Sequence, residues 1–169
     1  MKTLLILIGK TNDKHFAAGI SEYVQRINHY MPFETVTIPE LKNTKNITEN
    51  QQKQAEGELI AKYLQPTDCV VLMDEHGKEY RSMEFARWLT QKQNTVRRLV
   101  FIIGGPYGFS QQVYDRADDM VSLSKMTFSH QMVRLIFTEQ LYRACTIIRG
   151  EPYHLSLIHI SEPTRLRCI

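Results

Sequence analysis

Apolar residues follow two rhythms along the chain. Residues 3–8, 69–73 and 99–103 are short, nearly continuous apolar runs, the pattern of strands buried on both faces. Residues 33–38 alternate Phe, Val and Ile with polar positions, which predicts a strand with one wetter face. Residues 120–123 make a last short strand. Helical spacing fills the gaps. Phe16, Ile20, Tyr23 and Val24 share one side of a helix over 13–27, capped by Thr11 or Asn12. The run Thr48-Glu-Asn-Gln51 is a capping box that opens a helix to about residue 63, closed by Pro66. Ser82 and Ser110 are placed to cap helices to about residues 92 and 117.

The longest helix starts near His130 and stops before Gly150. Ser129 is its expected cap, and Gly150 is available for a left-handed stop. Arg143 and Arg149 sit toward its negative pole. Val133, Ile136, Phe137, Leu141, Ala144, Cys145 and Ile148 form one apolar face. Met132, Leu135 and Tyr142 fall off it, which predicts a second contact surface, suited to self-association. Strands alternate with helices almost throughout. That order implies an α/β fold with a mainly parallel sheet and helices on both faces.

Composition adds limits. The 169 residues suit one domain with a sizeable core. A net charge of +3 is too mild for a nonspecific nucleic-acid coat. The three cysteines, Cys69, Cys145 and Cys168, are widely spaced and make neither a disulfide framework nor a zinc pattern, so no metal is expected. Cys69 and Cys145 lie in apolar runs and read as core. The start lacks a signal peptide, and no segment approaches the roughly 20 apolar residues of a membrane span. These features predict a cytoplasmic protein. The stretch from Leu155 onward has no pattern to join. Residues 155–169 resemble a sequencing adapter translated in frame, so the natural domain is expected to span 1–154.

In a parallel sheet, ligands bind beyond the carboxyl ends of the strands. Three loops leave such ends: residues 73–77, 104–108 and 124–129. Gly104, Gly105 and Gly108 let backbone approach a ligand closely, although a bare strand-to-helix turn explains them as well. The Gly-Gly-Pro-Tyr-Gly run is neither a Rossmann nor a Walker pattern, which favours a nucleoside with little negative charge. Arg134 reads as a solvated charge, and Glu139 with Arg143 reads as a surface ion pair or as an anion contact. His130 at the helix start reads first as an ordinary surface or half-buried helix residue; Tyr153 and His154 read as a frayed end, or, if beside the crevice, as a pair able to stack on a base or shuttle a proton. Lys42, Lys45, Arg97, Arg98, Lys125 and Arg149 are candidate phosphate contacts or plain surface charges.

The run Ser-Lys-Met-Thr-Phe-Ser-His-Gln-Met-Val-Arg at 124–134, the segment 139–144, and Arg-Gly-Glu-Pro-Tyr-His at 149–154 resemble the ribosomal large subunit methyltransferase H family. Ile103 with the following Gly-Gly-Pro-Tyr-Gly, and Gly9-Lys10 near the start, fit as well. The resemblance covers 1–154. It implies a SPOUT-class homodimer with a C-terminal trefoil knot. The implied reaction carries methyl from S-adenosylmethionine to N3 of a pseudouridine in helix 69 of 23S rRNA, on the assembled ribosome. By motif position, Met73, Gly104, Leu123, Ser124, Lys125, Met126, Thr127 and Phe128 would line the cofactor site.

Methylating a ring nitrogen requires removal of its proton and orientation of donor and acceptor. His130 and His154 are the two candidate bases. Arg143 is the candidate for stabilising the anionic ring or gripping phosphate, and Tyr153 for stacking on the base. Two other classes remain in view: a nucleotide-binding module without catalysis, and an assembly factor that binds rRNA without a cofactor.

Overall fold

The computed structural model describes residues 1–155. Five strands form one all-parallel sheet: β1 (Lys2–Ile8), β2 (Phe33–Ile38), β3 (Cys69–Glu79), β4 (Arg98–Ile103) and β5 (Asp119–Ser122), in the order β2-β1-β4-β3-β5. The helices are α1 (Lys14–Asn28), α2 (Glu49–Ala61), α3 (Ser82–Thr95), α4 (Gln111–Arg116) and α5 (Met132–Ile148).

The apolar runs explain the layering. Side chains on a strand alternate between faces. Leu5, Leu7, Val71, Leu99, Phe101 and Ile103 therefore join α1, α3 and α5 in one core, with Trp88, Leu89, Phe137 and Leu141. Leu4, Ile6, Ile8, Val70, Leu72, Val100 and Ile102 join α2 and α4 in a second core, with Ile60, Phe109 and Val113. Phe101 and Phe137 meet at 4.8 Å between ring centroids, tying β4 to α5. Full burial of one such side chain stabilises by roughly 1.5–3 kcal/mol.

Several ends differ from expectation. Asp13, rather than Thr11 or Asn12, caps α1, its carboxylate accepting from the backbone N–H of His15 and Phe16. Arg81 precedes α3 and its N–H donates to the Glu84 carboxylate, so Ser82 is already helical. The Thr48–Gln51 capping box forms as its spacing predicts. Ser129 Oγ accepts from Met132 N–H, so His130 sits in the turn before α5 rather than in its first turn. At the other end Gly150 adopts φ +69°, and the Gly150 and Glu151 N–H groups donate to Ile147 and Thr146. That is a Schellman stop.

Two of the three off-face residues of α5, Leu135 and Tyr142, make contacts inside the chain. An added Cβ on Gly19 of α1 would lie 2.8 Å from Leu135 Cδ1, so the helices are in close contact there. Tyr142 packs against Tyr23 and Tyr30. Met132 and Ile148 remain exposed. Cys145 is buried, and burial pushes its thiol up to about 12, which keeps it an inert core residue. Cys168 and the tail from residue 156 lie outside the described residues. Among the described residues no helix is long and apolar enough to cross a membrane.

The segment after Met73 is a further difference. It is not a free loop. Residues 74–79 continue β3, and the register shifts between Met73 and Lys78. Val121 of β5 pairs with Met73 and again with Lys78. The pairing of β3 with β5 is thus interrupted by a bulge over residues 74–77 and resumes at Lys78. Gly77 makes this possible, because an added Cβ there would lie 2.6 Å from the backbone N and C of Val121.

Candidate functional site

A cavity of about 680 Å³ opens at one edge of the sheet, beyond the carboxyl tips of β4 and β5 and beside the irregular middle of β3. Two of its walls are turns that strand polarity singles out, and the third, expected as a turn, is continuous strand. Met73 and Asp74 come from β3, Gly104 to Gly108 from the turn after β4, and Leu123, Ser124, Met126, Thr127 and Phe128 from the turn after β5. His130 and Val133 close the side nearest α5, and Lys53 of α2 reaches in from the opposite layer. Lys125 is exposed and is not among the lining residues.

The turns are locally determined. Gly108 takes φ +79°, which lets the chain reverse after Pro106 and Tyr107. An added Cβ on Gly104 would sit 3.0 Å from Phe109, so a side chain there would crowd that ring. Ser124 Oγ accepts from Met126 N–H, and Ser122 Oγ donates to the Ser124 carbonyl. These bonds fold the post-β5 turn over the opening and leave Met126 78% exposed at its rim.

One wall carries a polar group that residue spacing did not reveal. Asp74 Oδ2 accepts from the Tyr114 hydroxyl at 2.6 Å. Its Oδ1 accepts from His76 N–H at 2.9 Å and lies 3.0 Å from His76 Nδ1. Burial alone would push the Asp74 carboxyl up. The bonds from Tyr114 and His76 outweigh burial and hold it below the usual carboxylate range. Burial and Asp74 together push the Tyr114 phenol far up, so it remains a donor. Tyr114 lies in the short helix α4, and only the fold brings it to β3. A carboxyl with a depressed pKa stabilises the fold above its ordinary pKa, and that contribution is lost as pH falls through the lowered value. Tyr114→Phe is therefore expected to cost about 1 kcal/mol at neutral pH, with the difference shrinking in acid. Urea unfolding at pH 7 and pH 3 measures both.

A second polar cluster lies elsewhere. Arg143 donates to Glu139 Oε1 at 2.6 Å, its guanidinium covers the Tyr153 ring at 4.8 Å, and one of its nitrogens lies 3.4 Å from His154 Nδ1. The Tyr153 hydroxyl donates to the same Glu139 oxygen. The Arg143 and Glu139 side chains are only 11% and 19% exposed, so this is a half-buried network rather than a surface ion pair. Burial, with bonds to Tyr23 and Glu139, raises the Tyr153 phenol, which makes it a donor and not a base. Arg143, Tyr153 and His154 are thus brought together. They do not reach the cavity of their own chain: Arg143 is roughly 16 Å along α5 from the helix start, at about 1.5 Å per residue. Of the four candidate catalytic residues, only His130 lines that cavity.

Comparison with known proteins gives this geometry a context. A family model described as "Predicted SPOUT methyltransferase" matches residues 1–154. The chain belongs to the SPOUT methyltransferase family. It is 63% identical over 155 residues to "Ribosomal RNA large subunit methyltransferase H" of Bacteroides fragilis, covering 91% of this chain and 99% of the relative. Proteins of the same name from Bacteroides thetaiotaomicron and Porphyromonas gingivalis are 58% and 52% identical over the same shares.

SPOUT methyltransferases use S-adenosylmethionine, and the cavity suits it. Apolar walls from Met73, Ile103, Leu123, Phe128 and Val133 and a bare backbone at Gly104 make room for a flat adenosyl group. The acidic edge of Asp74 and Glu75 favours a ligand with cationic centres over a polyphosphate. Met73, Gly104, Leu123, Ser124, Met126, Thr127 and Phe128 line this cavity. Among the described residues no group of three or more His, Cys, Asp or Glu is placed to hold a metal ion.

Of the basic residues considered as phosphate contacts, two have work inside the fold. Arg98 donates to the Tyr63 carbonyl and faces the Asp68 carboxylate, and Arg149 lies over the Tyr30 ring.

Proposed function

We propose that this protein methylates 23S rRNA with S-adenosylmethionine, at N3 of a pseudouridine in helix 69 of the assembled ribosome, in the cytoplasm. The observation that carries the reading is the single cavity beside β3, β4 and β5, lined by seven of the eight residues that the resemblance assigns to the cofactor. The close relatives, all named for ribosomal RNA large subunit methylation, support the substrate.

The working unit is a homodimer in which one chain supplies the cavity and the other supplies Arg143, Tyr153 and His154. The separation of the two clusters along α5 supports this arrangement. The trefoil knot in the C-terminal half rests on the family resemblance alone. The natural domain ends near residue 154, where the family match stops, and the remainder is adapter-derived. Sequencing the source gene tests that last point.

When bound, S-adenosylmethionine supplies an electrophilic methyl group. The residues do the rest. The ring nitrogen carries a proton that must leave before its lone pair is available, and an imidazole nitrogen of His130 or His154 accepts it. Arg143, fixed by Glu139 and Tyr153, faces the anionic ring oxygens. Tyr153 presents an aromatic face for stacking. The cavity wall excludes water and fixes the approach.

Incubation with labelled S-adenosylmethionine and intact 70S ribosomes tests the reading. Label is expected at one 23S rRNA position, mapped to helix 69. Cofactor binding without transfer would instead indicate a regulatory module, and rRNA binding without cofactor an assembly factor.

A further inference from the structure

The largest fully buried side chain in the described protein is a cation. Arg134, on the first turn of α5, has 0% exposure. Spacing alone suggested a solvated charge, and its surroundings reverse that. Its Nε donates to the His130 carbonyl at 3.1 Å. One terminal nitrogen donates to the Gly9 carbonyl at 2.9 Å and to Thr11 Oγ1 at 3.1 Å, and the other to the Ile8 carbonyl at 2.6 Å. Among the described residues no carboxylate lies within ion-pair distance of it.

Burying a guanidinium without an ion-pair partner costs several kcal/mol unless its donors are matched. Here four donor contacts go to main chain and one hydroxyl. Such an arrangement is poor as a stabilising device, since an apolar side chain of similar size fills the same space more cheaply. It is good as a fixture. A planar fork of donors sets the relative position of everything it touches.

What it touches are two separate pieces of the molecule. One is the tip of β1, where Gly9 turns with φ +77°. The other is the turn that carries His130 on the cavity wall. The adjacent Gln131 makes the same connection, accepting from Asn12 N–H at 2.8 Å and donating to the Lys10 carbonyl at 3.1 Å. Residues 8–12 and 129–134 are thus one hydrogen-bonded block. The β1 tip itself lines no part of the cavity, yet the cavity wall hangs from it.

We propose that Arg134 is a positioning residue for the methyltransferase site: through its bond to the His130 carbonyl it anchors the post-β5 turn to the tip of β1 and thereby sets the width of the cofactor cavity. This rests on the reading of that cavity as the S-adenosylmethionine site. The role needs the fork and not merely the charge. Lysine keeps the charge and cannot span three carbonyls and a hydroxyl.

The test compares Arg134→Lys with Leu89→Ala, a core truncation on α3 away from the block, chosen to lower thermal stability to a similar extent. Calorimetry with S-adenosylmethionine is expected to show about tenfold weaker binding for Arg134→Lys and unchanged binding for Leu89→Ala. In ligand-free protein, the His130 ring signals in NMR are expected to move in the first variant and stay in the second. Equal affinity in Arg134→Lys and wild type, or equal losses in both variants, overturns the proposal. If Arg134→Lys does not fold, Gln131→Ala decides by the same two measurements, with unchanged affinity and unmoved His130 signals counting against it. Wild-type protein that binds no cofactor would instead overturn the functional reading, and the ligand-free His130 signals would still judge the anchor.

Discussion

Gly77→Ala is expected to yield little or no soluble folded protein. The new Cβ would lie 2.6 Å from two backbone atoms of Val121 and 2.7 Å from the Met120 carbonyl carbon. Backbone cannot rotate away as a flexible side chain can, so the clash must be relieved by separating the second half of β3 from β5. That removes the pairing of Lys78 with Val121 and Glu79 with Ser122, and it displaces the cavity wall built on both strands. A loss of more than about 4 kcal/mol is expected, a large share of the roughly 5–15 kcal/mol that holds an ordinary domain together. Gly108→Ala is the control. Its φ is also positive, but an added Cβ meets nothing within 4 Å, so a cost of only about 1–2 kcal/mol is expected. Soluble yield and thermal midpoints of the two variants measure the contrast. A Gly77→Ala protein with the wild-type midpoint would remove the close-approach argument.

The second large effect concerns catalysis. Arg143→Ala is expected to lower the methylation rate by about 100- to 1000-fold, the range for removing one donor aimed at developing charge. Cofactor affinity should change little, because Arg143 does not line the cavity of its own chain. Gly104→Val has the opposite profile: its side chain would press on Phe109 and the cavity, so binding is lost first. Mixing the two variants makes the decisive experiment. A mixed dimer pairs an intact cavity on one chain with an intact Arg143 cluster on the other, so one of its two sites should work. Activity reappearing on co-expression of two inactive variants is the expected outcome. Mixed dimers as inactive as their parents would show that cavity and cluster belong to separate tasks.

Much of this was legible in the residues themselves. The continuous apolar runs at 3–8, 69–73 and 99–103 became three adjacent central strands, and their odd and even positions now supply two different cores. The turns after β4 and β5 converge on one cavity because a parallel sheet puts such tips on one edge, and the stretch after Met73 joins them as continuous strand. What stayed hidden was decided by long-range contact. Arg134 has the local pattern of a surface residue, and only the approach of residues 8–11, far away in sequence, makes it an interior fixture. Tyr114 gives no sign in a six-residue helix that its hydroxyl reaches Asp74. Residues 74–77 look like a turn because a polar run ending in glycine follows the apolar strand, yet β3 continues through them and pairs with β5 again at Lys78. Met132, Leu135 and Tyr142 suggested a docking face; α1 packs against Leu135 and Tyr142, and Met132 stays exposed.

The strand order also bears on how the chain is made. β1 leaves the exit tunnel first and finds β2 soon after, but its other flank waits for Arg98 and the residues beyond it. At elongation speeds of about 5–20 residues per second, that flank of an apolar strand stays bare for on the order of 5–20 s. Nascent chains stalled before residue 98 should therefore be prone to clumping and should recruit chaperones, and chains stalled after residue 103 should not.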